Sequence, residues 1–557
     1  MTMTQEPMTI PVPANFPVAW SDPEDARKFW VQDRMHFPAP LAPVMDGFLY
    51  GRAINRAAEQ YRLPVRIKVE LVNGYLYMAI HPIYPPEEMA ERSNEAQAAI
   101  GPVLARFGDL WRDDVFPKVR AHLAYWESFD LAGASLGRLV EHLDETARRM
   151  DDAWYLHFLV ALPLLVAPSA FDDVHRDLFG GEGAFGAFDL LKGFDNLTLR
   201  AGRELWALGR RAAASPVVRG VLEENAASQV IPRLEASEEG RAFLVELRAF
   251  LAEHGQRGDR PIDLSSPSWL EDPSPVIKNL KDYVSQPDRD PAGELAATAA
   301  ERDRLVAAVR ERLKGYPAPV AGQYEVLLRA AQEGTVVAED HNYWIDYRCM
   351  YEVRRVLLEI GGRLTAAGVL ARADDALCLT LDELRETLLE LPRIDRRRTV
   401  AGRRAQMEFF KNVPAPPVLG TIPPVAPPDN PFDRGVAKFF GPPPQPPTNP
   451  STLRGSPGSP GRVRGRARIV RSLAEAARLG PGDILVAETT APPWTPLFAT
   501  AAAVVTDTGG ILSHCAVVAR EYGIPAVVGT GAATTLLVDG QLVEVDGDAG
   551  TVAVIRE

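Results

Sequence analysis

The feature that most constrains this chain lies near its C-terminus: Thr508-Gly509-Gly510-Ile511-Leu512-Ser513-His514-Cys515-Ala516-Val517-Val518-Ala519-Arg520-Glu521. An apolar run over 501–505 leads through Thr506 and Asp507 into the glycine pair, and Gly523 and Pro525 stop the segment that follows. The pattern predicts a strand, a tight turn and a helix with one histidine at its mouth. A helix N-terminus presents unpaired N–H groups and a partial positive charge, which phosphate exploits. Histidine is a competent nucleophile. His514 therefore reads as a phosphoryl carrier, with Gly509, Gly510 and Ser513 placed to bind the phosphate. Cys515 reads as a small buried hydrophobe.

The rest of the chain divides around this signature. Residues 1–410 read as mainly helical, with apolar residues at helical spacing in 103–123, 136–150, 199–208, 243–251, 305–313, 324–331 and 353–364. A strand-like piece at 65–80 interrupts early, with Asn73-Gly74 as a hairpin turn. Residues 411–452 are proline-rich, leaving little room for helix or central strand. Extended at roughly 3 Å per residue, they would reach on the order of 100 Å, which suits a tether. Residues 453–557 alternate expected strands (463–470, 483–487, 502–506, 526–528, 542–545 and 551–555) with helices (473–479, 494–500 and 514–522). The expected architecture is multidomain: a mainly α-helical N-terminal substrate-binding domain, a linker and a C-terminal α/β domain.

Composition narrows the function classes. With 557 residues the chain is long enough for several domains. Its 61 basic and 74 acidic residues give a net charge of −13, against non-specific nucleic-acid binding. Three scattered cysteines make neither a disulfide framework nor a zinc site. The first fifteen residues lack a basic region followed by an apolar core. The longest apolar stretch, 158–166, is too short to span a bilayer and contains Pro163. A cytoplasmic location without membrane contact is the expectation.

Residues 453–557 resemble the mobile phosphohistidine ("swivelling") domain of the phosphoenolpyruvate-utilising enzymes. The likeness rests on 506–514, Ala516-Val517-Val518-Ala519-Arg520-Glu521, Gly523-Ile524-Pro525-Ala526-Val527-Val528-Gly529, Ser459-Pro460-Gly461, Gly465-Arg466-Ala467 and Ala491-Pro492-Pro493-Trp494-Thr495-Pro496. Looser matches to the substrate domain of rifampicin phosphotransferases run through the helical region. They include Leu190-Leu191-Lys192-Gly193 with Asn196, Glu253-His254-Gly255-Gln256-Arg257-Gly258, Pro267-Ser268-Trp269-Leu270-Glu271-Asp272-Pro273, Glu339-Asp340-His341-Asn342-Tyr343-Trp344 and Arg354-Arg355. The opening Phe29-Trp30 to Asp33-Arg34-Met35-His36-Phe37-Pro38 looks like the start of that domain in phenylphosphate-synthase-like proteins.

The resemblance implies a phosphotransferase that carries a phosphoryl group from ATP on His514 to the hydroxyl of a small organic acceptor, a phenol first of all. Nothing in the sequence resembles the ATP-grasp domain of these relatives, and no P-loop occurs. The expectation is a separate ATP-grasp subunit that holds ATP and magnesium, as in the split phenylphosphate synthases. No metal site is expected on this chain. Phosphoryl transfer needs cations on the phosphoryl oxygens and a base for the acceptor hydroxyl. Arg257 and Arg355 are candidates for the first, and His341 beside Asp340, together with His254, for the second. Tyr343 and Trp344 would line an aromatic pocket. The alternatives are an antibiotic or natural-product acceptor, or a regulatory phosphocarrier whose helical domain binds a protein.

Overall fold

The computed structural model describes residues 8–20, 22–180, 186–260, 262–286, 290–422, 431–441 and 452–555. The chain forms two compact units, each assembled from separate stretches. The first holds Met1–Pro163, Arg260–Ser266 and Trp344–Asn430; the second holds Leu164–Asp259, Pro267–Tyr343 and Pro431–Glu557. A helical N-terminal region and a C-terminal α/β region are both present.

The first unit is built on a five-stranded antiparallel sheet in the order Met8–Thr9, Val418–Ile422, Phe29–Gln32, Tyr75–Pro82, Val65–Val72. The expected hairpin forms at Asn73-Gly74, both with positive φ (52° and 85°), as a two-residue turn matched to strand twist requires. Val418–Ile422 corrects the expectation that the proline-rich stretch excludes a central strand. That short run is proline-free, and it inserts between two other strands with Leu419 fully buried. Pro431 likewise opens a helix, Pro431–Phe440, because a helix's first turn tolerates a residue without an N–H. Within the expected tether, 423–430 and 442–451 lie outside the described residues.

The apolar stretch 158–166, read above as too short to span a bilayer, sits within the 44-residue helix Leu136–Phe179. This helix is long and apolar enough to cross one by length and composition. Yet 56% of its most apolar window is buried inside the protein, as in a core helix.

In the second unit, helix Leu197–Ala214 starts sharply because the Asn196 side chain accepts from the amides of Thr198 and Leu199. Its Leu205, Leu208 and Ala212 recur at helical spacing and pack with Leu247, Phe250, Leu280 and Tyr283 in one apolar cluster. Each fully buried large side chain there contributes about 1.5–3 kcal/mol.

The same unit contains an eight-stranded sheet with a parallel centre: Arg462–Ile469, Ile484–Ala487, Ala503–Thr506 and Ala526–Val528. Antiparallel strands flank it, Ser456–Ser459 on one side and Leu542–Asp546, Thr551–Val554 and Thr452–Arg454 on the other. Three of them, Ile484–Ala487, Ala503–Thr506 and Ala526–Val528, are buried at every residue, as parallel strands covered on both faces should be, while Arg462–Ile469 carries four arginines. Helix His514–Glu521 packs Cys515, Ala516, Val518 and Ala519 onto the sheet. Burial pushes the Cys515 thiol up to about 12, in keeping with a packing role.

Candidate functional site

His514 stands beyond the carboxyl ends of the parallel strands, where open α/β sheets place their ligand sites. Strand Ala503–Thr506 delivers the chain to Asp507, whose buried carboxylate accepts from Thr530 Oγ1 at 3.1 Å and Thr534 N at 3.2 Å. Thr508 is tied to the Glu488 carbonyl through its amide and its hydroxyl, each at 3.0 Å. Arg520 Nη2 donates to the Ile511 carbonyl at 2.7 Å. These bonds fix the turn before the histidine.

The His514 imidazole is held at both nitrogens. Nδ1 lies 3.0 Å from Glu339 Oε1 and Nε2 lies 3.4 Å from Thr495 Oγ1. With Nδ1–H donating to the carboxylate, the lone pair sits on Nε2, an assignment that follows from the hydrogen-bond partners. Glu339 is 5% exposed. Burial pushes its carboxyl up, but His514, the Thr198 hydroxyl (2.7 Å from Oε2) and nearby His341 together hold it below its ordinary value. It is therefore a carboxylate at neutral pH. It also sits beside the N-terminus of helix Leu197–Ala214, where negative charge is favoured. Glu339 is the residue that sequence reading missed, although it stands next to two residues chosen as candidates. A carboxylate closing the apolar run Val336-Val337-Ala338 is the signal that could have found it, since a buried charge requires a partner.

The other candidates fall in three places. Asp340 accepts from Leu197 N at 2.9 Å, and burial raises its carboxyl to about 6. His341 Nδ1 donates to the Val337 carbonyl at 2.8 Å. Arg257, 1% exposed, stacks 4.1 Å over the Tyr343 ring, donates to the Leu197 carbonyl at 3.1 Å, and lies 3.1 Å from His254 Nδ1. His254 Nε2 in turn lies 2.7 Å from Glu204. Burial first, and the Arg257 charge second, push His254 down to about 3. It is neutral at pH 7 and uses both nitrogens in these contacts. The Tyr343 hydroxyl donates to the Glu253 carbonyl. Arg257, His254 and Tyr343 thus form one buried cluster beside the start of helix Leu197–Ala214.

Arg355 and Trp344 belong to the other unit. Arg355 pairs with Glu352 at 2.6 Å, and Trp344 packs 5.0 Å from Phe116 beneath Arg120.

Gly509 has φ +94°, and a Cβ there would lie 2.8 Å from Ser513 Oγ. The Ser513 hydroxyl oxygen is buried with no hydrogen-bond partner among the described residues. Gly510 N and Leu512 N donate to the carbonyls of Phe439 (2.8 Å) and Lys438 (2.9 Å), at the C-terminal end of helix Pro431–Phe440. In this arrangement the Gly510 amide, expected to face phosphate, is occupied by a backbone carbonyl. Lys438 Nζ anchors that helix to Asp172 (2.7 Å) and Asp173 (3.0 Å).

Among the described residues, Glu204, Glu253 and His254 bring three ligand-type atoms together. They do not fit a metal centre, because Arg200 pairs with both carboxylates and His254 has no nitrogen to offer.

Two family models match this chain: the rifampicin phosphotransferase fourth domain over residues 138–339, and the mobile domain of PEP-utilising enzymes over 479–550. Chondramide synthase cmdD of Chondromyces crocatus is 39% identical over 99% of the chain and 14% of its own length. The uncharacterized phosphotransferase YvkC of Bacillus subtilis is 27% identical over 95% of the chain and 62% of its own length. A rifampicin phosphotransferase of a Streptomyces species is 33% identical over 65% of the chain and 40% of its own length. The chain thus spans between about one seventh and three fifths of the length of these relatives. The fourth-domain match ends on Glu339, the carboxylate that holds His514, and the mobile-domain match contains His514 and the turn before it; over residues 479–550 the chain carries a mobile domain of the PEP-utilising enzymes.

Proposed function

We propose that this chain is the carrier and acceptor-binding part of a phosphotransferase. His514 takes a phosphoryl group that originates in ATP and passes it to the hydroxyl of a small organic acceptor. The observation that carries the reading is the imidazole itself. A carboxylate fixes Nδ1–H, so Nε2 is the nucleophilic atom, at the head of a helix and next to a buried, unpartnered serine hydroxyl. Nε2 attacks the phosphorus while the P–O bond to the ATP-derived leaving group breaks, its electron pair departing on that oxygen; once the phosphorylated ring is docked, Glu339 holds Nδ1–H and fixes its orientation for delivery. In the second half-reaction the acceptor oxygen attacks phosphorus and the P–N bond breaks.

The names of two relatives, rifampicin phosphotransferase and uncharacterized phosphotransferase, support the reaction class. For the acceptor we favour a phenol, whose hydroxyl, with a pKa of about 10, is easier to deprotonate than an aliphatic one. For the donor we favour an ATP-grasp subunit that holds ATP and magnesium, with the reaction located in the cytoplasm.

The test is intact-mass analysis of the chain incubated with magnesium-ATP and a candidate ATP-grasp subunit, comparing wild type with His514→Ala. An acid-labile phosphoryl adduct on wild type alone is the expected result. An equal adduct on His514→Ala, or none with a subunit shown to be active, overturns the reading.

A further inference from the structure

Within the second unit, Asp259 meets the α/β domain at two points that the chemistry above does not use. It follows helix Glu238–His254 in a loop pinned at its base. Trp269 N donates to the Arg257 carbonyl at 2.7 Å, Leu270 N donates to the Gly255 carbonyl at 2.9 Å, and Gly258 bridges Ser268 in antiparallel fashion. The carboxylate is thereby held in place. Its Oδ1 accepts from Trp494 Nε1 at 3.0 Å and its Oδ2 from Leu473 N at 3.2 Å. A donor thus sits on each oxygen, and the two donors come from separate helical turns, Pro492–Trp494 and Leu473–Arg478. Trp494 is buried, and a buried indole N–H requires an acceptor. The first amide of a helical turn finds none inside that turn.

Two further contacts join the same parts of the unit: Glu339 holds His514 Nδ1, and Gly193 N donates to Glu521. One contact leaves a domain free to pivot about it, whereas three on separate elements fix its orientation. The Asp259 contact is the one that leads to the reactive nitrogen. Trp494 is followed directly by Thr495, whose buried hydroxyl lies 3.4 Å from His514 Nε2. A carboxylate that fixes the indole therefore limits where that hydroxyl can stand.

We propose that Asp259 is the docking residue for the α/β domain: by gripping Trp494 and Leu473 it holds His514 in register against Glu339. The proposal rests on the carrier reading, in which His514 leaves this place to be loaded and returns to it. Asp259 acts through Trp494 and Leu473 and is a positioning residue. Both donors turn to water when the domain leaves, and docking exchanges that water for a carboxylate. The grip therefore favours the docked state and plays no part in loading.

The experiment measures how often His514 is uncovered. Diethyl pyrocarbonate modifies histidine rings that solvent reaches, and the docked His514 side chain is only 13% exposed. The full chain is treated without nucleotide, and modification of the His514 peptide is followed by mass spectrometry. Loss of bonds to a charged acceptor shifts the docked population about tenfold or more, so His514 should react faster by that factor in Asp259→Ala. Trp494→Phe keeps an aromatic ring and loses the N–H, and should give a smaller rise. The double variant should match Asp259→Ala within about twofold, because the indole donor counts only while the carboxylate is present. His254, buried at the base of the same loop, reports the local fold by staying unmodified; where Asp259→Ala exposes it, Trp494→Phe decides alone. With magnesium-ATP and the ATP-grasp subunit, the phosphoryl adduct should form on Asp259→Ala at least as fast as on wild type.

Unchanged His514 reactivity in both single variants, additive rises in the double variant, or slowed adduct formation on Asp259→Ala overturns the proposal. No adduct on wild type with a subunit shown to be active overturns the carrier reading, and the proposal with it, even where reactivity rises.

Discussion

Glu339 Oε1 lies 3.0 Å from His514 Nδ1, joining residues 175 positions apart in sequence. The carboxylate comes from the end of helix Ala318–His341 and the imidazole from the start of helix His514–Glu521. Neither helix end suffices alone. The first would bury a charge without compensation, and the second would leave the ring's tautomer undetermined. Together they make an imidazole with one defined nucleophilic nitrogen.

That contact predicts a split phenotype for Glu339→Gln. Glu339 acts while His514 is docked beside helix Leu197–Ala214, so it should serve delivery to the acceptor more than loading from ATP. Loss of the charge should slow transfer from phospho-His514 by about 10²-fold and leave adduct formation within a few-fold of wild type. Rapid-quench measurement of the two half-reactions checks this. Equal slowing of both would show that Glu339 is not specific to the docked state.

Gly510→Ala should loosen helix Pro431–Phe440. A Cβ at position 510 would lie 2.2 Å from the Lys438 carbonyl oxygen, which is backbone and cannot swing aside. Relief requires the helix to shift and surrender the bonds from Gly510 N and Leu512 N, each worth about 1 kcal/mol. Hydrogen exchange should quicken across 431–440 while the strand Ala503–Thr506 stays protected. Unchanged exchange would mean that the loop, not the helix, absorbs the clash.

How far the sequence discloses the site depends on whether a residue's partners are local. The turn at 508–513 and the helix from His514 are legible because strand, glycines and helix start follow one another in sequence. The helix at 318–341 is legible from its period, but not which of its last three residues meets His514. Asp340 and His341 are the more familiar catalytic types, yet Asp340 caps Leu197 and His341 bonds back to Val337. The choice is made by tertiary contact with Thr198 and His514. The strand Val418–Ile422 is hidden for another reason: proline density around it masks five residues whose pairing partners, Met8, Thr9, Phe29, Trp30 and Val31, lie near the other end of the sequence.

Glu521 should make stability depend on pH. It accepts from Gly193 N through both oxygens, at 3.0 and 2.9 Å. Burial, only partly offset by that bond and by nearby Arg520, raises its carboxyl from 4.5 to about 7. A carboxyl with a raised folded pKa holds its proton more tightly folded than unfolded. Its stabilisation is complete below pH ~4.5 and is lost as pH rises through about 7. The loss should be about 1–2 kcal/mol after allowing for partial solvent contact. Urea midpoints measured from pH 5 to 8 should fall in wild type more than in Glu521→Gln. Parallel curves would remove Glu521 as the cause.

Arg257 separates a structural cation from a phosphate-binding one. Its guanidinium is spent on the Leu197 carbonyl, the His254 ring and the Tyr343 face. Arg257→Met keeps much of the bulk but leaves the buried His254 Nδ1 without its guanidinium donor, a cost of about 1–3 kcal/mol, and removes the side-chain bond to the Leu197 carbonyl. It also removes the charge that helps hold His254 near 3, so the His254 pKa should rise toward its ordinary value. Both effects can be read on the chain without substrate, by urea unfolding and by NMR titration of the histidine ring. If Arg257 instead grips phosphoryl oxygens, Arg257→Met should leave stability and the His254 titration nearly unchanged and cut transfer alone. The contacts favour the first outcome, because a guanidinium turned toward phosphate would have to abandon two buried acceptors and an aromatic face at once.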